Sequence, residues 1–139
     1  MMVFPNKTTY SAGQPFVFQA ATTLTSSYVA GKVASFDEHN MIGLEITYIK
    51  GSETTLNVMV ESSIDGGTTY GQQVTQSSSG GTTTITPNIY AFTASTMAAT
   101  QRIALLINPI KGDHVRVSVE YAGGSAPGTV AVRGIFGWV

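Results

Sequence analysis

The chain has 139 residues and a formal net charge of −1, with seven Lys and Arg set against eight Asp and Glu. That length suits one domain with one core, large enough to bury roughly two-thirds of its unfolded surface without a metal or disulfide staple. The charge balance excludes a binder that neutralises phosphates, and the absence of cysteine excludes disulfide scaffolds, Cys-ligated zinc and thiol nucleophiles. Charged residues make up 11% of the chain, under half the usual share of about 25%, and Thr, Ser and Gly take their place. A disordered chain would need high net charge and few aromatics, and neither holds. The opening Met1 to Lys7 has no basic region followed by an apolar run, so no secretory leader is expected. The longest aliphatic run, Ile103 to Ile107, is far shorter than a membrane span, and no membrane partner is expected.

Residues 1–40 show no sustained period. Pro5 and Pro15 interrupt them, and Phe16-Val17-Phe18 is their only compact apolar cluster. They read as an extended N-terminal arm with a first edge strand, ordered by lying on something. Phe4, Tyr10, Phe16 and Phe18 are then partner-contact candidates, because aromatics displayed on an arm mark a partner surface. The alternative is that the arm folds back and these rings complete the core.

Residues 41–139 read as the folded domain. Ile42, Leu44, Ile46 and Tyr48 alternate with Gly43, Glu45, Thr47 and Ile49, and Leu56, Val58 and Val60 alternate with Thr55, Asn57, Met59 and Glu61 after a turn at Gly51-Ser52. Each is the pattern of a half-buried strand. Asp65-Gly66-Gly67 is a hairpin signal leading to a polar strand over residues 68–76, and Ser77 to Gly81 reads as a flexible tip. Thr82 to Phe92 is a Thr- and Ile-rich strand kinked at Pro87. Ala94 to Gln101 is the only helical candidate. Ile103 to Ile107, His114 to Tyr121 and Thr129 to Val139 supply further strands, with Gly134 and Gly137 suggesting a bulge in the last. About eight strands at intervals of roughly 10–15 residues predict an all-β, antiparallel, eight-stranded jelly-roll-like sandwich.

Only two histidines exist, so catalytic constellations can be checked by exhaustion. Asp37-Glu38-His39-Asn40 is the densest polar group, but adjacent residues on an extended chain face opposite ways, and a solvated loop is expected there. His114 follows Asp113 at a strand mouth, with no Gly-x-Ser-x-Gly elbow anywhere to supply a nucleophile. EF-hand and phosphate-binding glycine patterns are absent. No enzyme activity, cofactor or metal is expected.

The stretch Leu56 to Tyr70, containing Ser63-Ile64-Asp65-Gly66 and then Thr68-Thr69-Tyr70, resembles a hairpin of small β-sandwich modules in tailed-phage virions and in some carbohydrate-binding jelly rolls. Val115 to Tyr121, the loop with Pro127-Gly128, and Thr129 to Val132 resemble the closing strands of the same modules. With the cysteine-free, Thr- and Gly-rich composition, residues 41–139 resemble a tailed-bacteriophage capsid decoration, or cement, protein. The resemblance implies a jelly-roll body, commonly a homotrimer, bound to the major capsid protein on the virion surface and made in the host cytoplasm. A carbohydrate-binding module of a tail or adsorption device, with Tyr70 or Trp138 as stacking platform, and a neck or tail adaptor are the alternatives.

Overall fold

Alternation over Met41–Ile49 and Thr55–Ser63 sets the frame of the molecule, because each run buries nearly every second side chain. The computed structural model describes residues 15–35, 39–107, 110 and 112–137, and in it these two runs are the inner strands of two antiparallel sheets. In chain order the strands are β1 (Phe16–Thr23), β2 (Val29–Ala30), β3 (Ala34–Ser35), β4 (Met41–Ile49), β5 (Thr55–Ser63) and β6 (Gly71–Gln72). They continue as β7 (Val74–Ser79), β8 (Thr82–Pro87), β9 (Ile89–Thr93), β10 (Thr100–Ile107), β11 (His114–Ala122) and β12 (Thr129–Gly137). The first sheet runs β1-β12-β4-β10; in the second, β2 and β3 pair with β11, β11 pairs with β5, and β5 pairs on its other side with β6 and β9. The remaining two, β7 and β8, form a separate two-stranded sheet.

The main sheets pack face to face. Ile42, Leu44, Ile46 and Tyr48 of β4 with Val130, Val132 and Phe136 of β12 meet Leu56, Val58 and Val60 of β5 and Val115, Val117 and Val119 of β11 in one buried cluster. Most are β-branched, the side chains that fill a pleated surface best, and each fully buried one contributes about 1.5–3 kcal/mol.

Several expectations change. The sandwich begins at Phe16 rather than Met41, because β1, β2 and β3 all join its sheets. Phe18 is 1% exposed, and Gln19 bridges the sheets by donating Nε2 to the Val29 and Val117 carbonyls at 2.8 and 3.2 Å. The period of two was hidden by register shifts between Val17 and Gln19 and between Gln19 and Thr22. Gly134 marks no bulge in β12, whose pairing with β4 is continuous. It makes room for Phe18 instead, since a Cβ there would lie 2.8 Å from that ring.

The candidate helix at Ala94 to Gln101 reduces to a 3₁₀ turn, Ala94–Thr96, followed by β10. Thr93 makes no side-chain cap, and two turns are too few to offset nucleation when β4 offers a complete ladder. Ser77 to Gly81 is not a loose tip: Gly80 and Gly81, at φ +58° and +81°, close a two-residue hairpin turn between β7 and β8. Among the described residues, twelve strands in sheets of four, six and two thus replace the expected eight.

One corner ties the sheets together. The β4–β5 and β11–β12 connections cross between sheets side by side, and Glu53, 5% exposed, sits at their crossing. Its carboxylate accepts from the Tyr48 hydroxyl and from the amides of Gly51 (3.0 Å) and Gly128 (2.9 Å). Ser52 braces the far loop, accepting at Oγ from the amides of Ser125 and Ala126. The backbones approach so closely that a Cβ at Gly124 would lie 2.2 Å from the Ser52 carbonyl oxygen, and Gly124 also has φ +74°.

Burial pushes the Glu53 carboxyl up, but its hydrogen bonds with Tyr48 and the backbone outweigh that and hold it below the ordinary glutamate value. Its stabilisation is therefore complete above the unfolded value near about 4.3 and is lost as pH falls through the lower folded value. Glu53→Ala should cost about 2–4 kcal/mol in urea unfolding at neutral pH, because a buried hydroxyl and two amides lose their acceptor. Glu53→Gln should lose less and flatten the acid limb of stability against pH, with a residual slope from Asp65 and Asp113, which are also held low.

Candidate functional site

The four contact candidates do not form one displayed patch. Phe18 is core, Phe16 packs half-buried against it with ring centroids 4.9 Å apart, and Phe4 and Tyr10 lie outside the described residues. Of the polar group at 37–40, Asp37 and Glu38 also lie outside them. His39 is buried, its ring 5.9 Å from that of Phe136, rather than solvated.

The Asp65 turn is a closed local network. Its carboxylate accepts from the hydroxyls of Ser63 and Thr69, both at 2.6 Å, and from the amides of Thr68 (3.1 Å) and Thr69 (2.9 Å). Those hydroxyls, with the backbone amides, hold the Asp65 carboxyl far below the usual range. Beside it, Asp113 Oδ1 meets His114 Nδ1 at 2.8 Å and Asp113 Oδ2 accepts from the Gly66 amide at 3.2 Å. The Ser63 and Thr69 hydroxyls are thus aimed at Asp65 and not at the imidazole. Arg116 lies 4.0 Å over the Tyr70 ring and binds both Glu61 oxygens at 3.1 and 3.3 Å, so the ring face expected to serve as a stacking platform is already covered. Trp138, the other platform, lies outside the described residues. Among the described residues no three His, Asp or Glu are placed to hold a metal.

Two features stand out, and sequence reading had only the strands and tip of the first, not its exposure. The first is the β7–β8 hairpin, in which all twelve strand residues are exposed. One face carries Val74, Pro87 and Ile85, the last 59% exposed, and the other is a ladder of Thr75/Thr86, Ser77/Thr84 and Ser79/Thr82 pairs. It has no charged residue.

The second is a groove of about 580 Å³ at the hairpin's root, between β6, β7 and the end of β10. Gln72, Gln73, Gln76 and Asn88 line it beside the half-buried Tyr90 ring and Leu106. Its floor is fixed by backbone bonds from Asn88 to Gln73 (2.9 Å) and from Gln73 to Val60 (3.4 Å). These side chains meet only because β5 pairs with both β6 and β9, a juxtaposition no local motif announces.

Comparison with protein-family models and with curated proteins finds no match to this sequence.

Asp65→Ala should leave the core intact while freeing the turn. Hydrogen exchange of the Thr68 and Thr69 amides should accelerate sharply while β5 and β11 amides keep their protection; unchanged exchange would mean the carboxylate does not hold the loop.

Proposed function

We propose that the protein is a non-enzymatic structural component of a phage virion, a capsid decoration protein of jelly-roll type that binds the assembled head and stabilises it. The jelly-roll reading is supported by nested pairing. Taking β2 with β3 as one position, and leaving aside β6 and the β7–β8 hairpin, eight positions remain: the first pairs with the eighth, the second with the seventh, the third with the sixth and the fourth with the fifth. That order matches two interleaved Greek keys, with β6 and the hairpin inserted between β5 and β9.

The observation that carries the role is the hairpin. A two-stranded ribbon without a buried face is marginal in water, and this one buries none of its twelve strand residues. Laid on a second surface, it gains an apolar stripe and a row of hydroxyl contacts without desolvating any charge. β10 adds a second unsatisfied feature: eight residues long, it has a partner only on its β4 side among the described residues. Such an edge is a template for another chain, in keeping with a homotrimer. The partner in this reading is the major capsid protein, with no nucleic acid or membrane involved. A ligand of the assembled lattice alone stabilises that lattice by mass action, and many copies on a symmetric shell add avidity.

The test replaces residues 76–85 with Asn-Gly, a two-residue turn that suits the shortened hairpin. The thermal midpoint should stay within a few degrees, since no core residue is removed. Occupancy on purified heads should fall about tenfold or more, and raising salt to about 0.5 M should barely change wild-type occupancy, because the contact carries no charge. Full occupancy by the shortened protein would overturn the assignment of the hairpin as the contact.

A further inference from the structure

We propose that the groove at the root of the β7–β8 hairpin is a binding site for a neutral saccharide. Its volume of about 580 Å³ lies within the range of small-ligand sites, roughly 300–1,000 Å³. None of the residues lining it is charged, so nothing there would select a phosphate, carboxylate or amine.

The polar groups it offers are amides. Each carries a donor pair and an acceptor in one plane, the arrangement that meets adjacent hydroxyls of a sugar ring. The orientation of Asn88 suits such a ligand, because its Oδ1 accepts from Thr75 Oγ1 at 2.7 Å, which leaves its Nδ2 as the donor. Gln72 Nε2 is closed off by protein atoms, so the accessible amide donors are those of Asn88 and the exposed Gln76. Tyr90 and Leu106, the latter 60% exposed, add the apolar surface on which the C–H face of a sugar packs.

A peptide is the competing occupant, since β10 has a partner on one side only among the described residues. A bound strand would run along β10, whereas the groove touches only its last two residues, Leu106 and Ile107. The polar lining is side-chain amide, and that favours the saccharide.

The experiment uses the full chain, isotopically labelled, with side-chain amide signals followed by NMR. Lactose, cellobiose and diacetylchitobiose are each titrated to about 50 mM, the range suited to millimolar dissociation constants. The expected result is saturable shifts of the Gln76 and Asn88 NH2 signals with at least one sugar. Asn88→Asp keeps the acceptor for Thr75 and removes the donor, so it should weaken that binding about tenfold with an otherwise unchanged spectrum. Gln76→Ala, at an exposed position, should weaken it without touching the core. No saturable shift with any of the three sugars, shifts mapping elsewhere, or equal affinity in both variants would overturn the proposal. Triglycine shifting the same amides while the sugars do not would overturn it in favour of a peptide site. The experiment uses no capsid, so its outcome is separate from that of the shell-binding test.

Discussion

A single buried carboxylate governs how the two sheets sit on each other. Glu53 accepts hydrogen bonds from a β4 side chain, from its own turn and from the loop before β12, joining segments 75 residues apart. An isolated charge in that position would be costly, but three converging donors offset its desolvation. Around it, glycines let the backbones come close: at Gly51 and Gly128 a Cβ would lie 2.0 and 2.1 Å from backbone oxygens of Ala126 and Ile49. The two connections are interlocked rather than merely adjacent, and interlocking turns two apolar faces into one register of packing.

With that corner closed, the rest of the molecule tolerates irregularity. β1 is bulged, β2, β3 and β6 are two residues each, and the link from β5 to β9 carries an inserted ribbon with no core of its own. Short or kinked edges resist unwanted pairing, so most of the rim is protected although the chain has only four lysines. β10 departs from that pattern: it is long, regular and aliphatic, and it borders the groove. The unprotected edge, the naked hairpin and the amide-lined groove all lie on one flank of the sandwich. The flank around β2 and β3 instead carries the Gln19 bridge between sheets.

The parts of this arrangement that could be read from sequence are those encoded locally. β4, β5, β11 and β12 announce themselves because each presents one face to a single core and the side-chain period is two. The Asp65 turn is equally local, its acceptors and donors lying within four residues. β1 was expected only as an edge strand somewhere in residues 1–40, and its bounds escaped because its bulges break the period; the short Ala-rich segment misled because helix propensity at two turns yields to a β-ladder. Glu53 was invisible for a different reason: nothing near Gly51-Ser52 predicts that Gly128 will supply a donor. The groove is the extreme case, since Gln72, Asn88 and Leu106 come from separate stretches of chain joined only by tertiary pairing.

The sparse charge of the chain shapes association. With so few charges on the chain, long-range steering is weak, and encounter depends on short-range fit. Hydroxyl ladders suit that regime: Thr and Ser lose little side-chain entropy on ordering and donate or accept as the facing surface requires. The Ser78–Thr83 contact at 3.0 Å, where either hydroxyl serves as donor, shows this versatility within the ribbon itself. Each contact of this kind contributes little, so one copy alone would hold weakly. In the role proposed above, affinity for a shell would have to come from several ribbons engaging at once, because avidity adds up contacts that are individually weak.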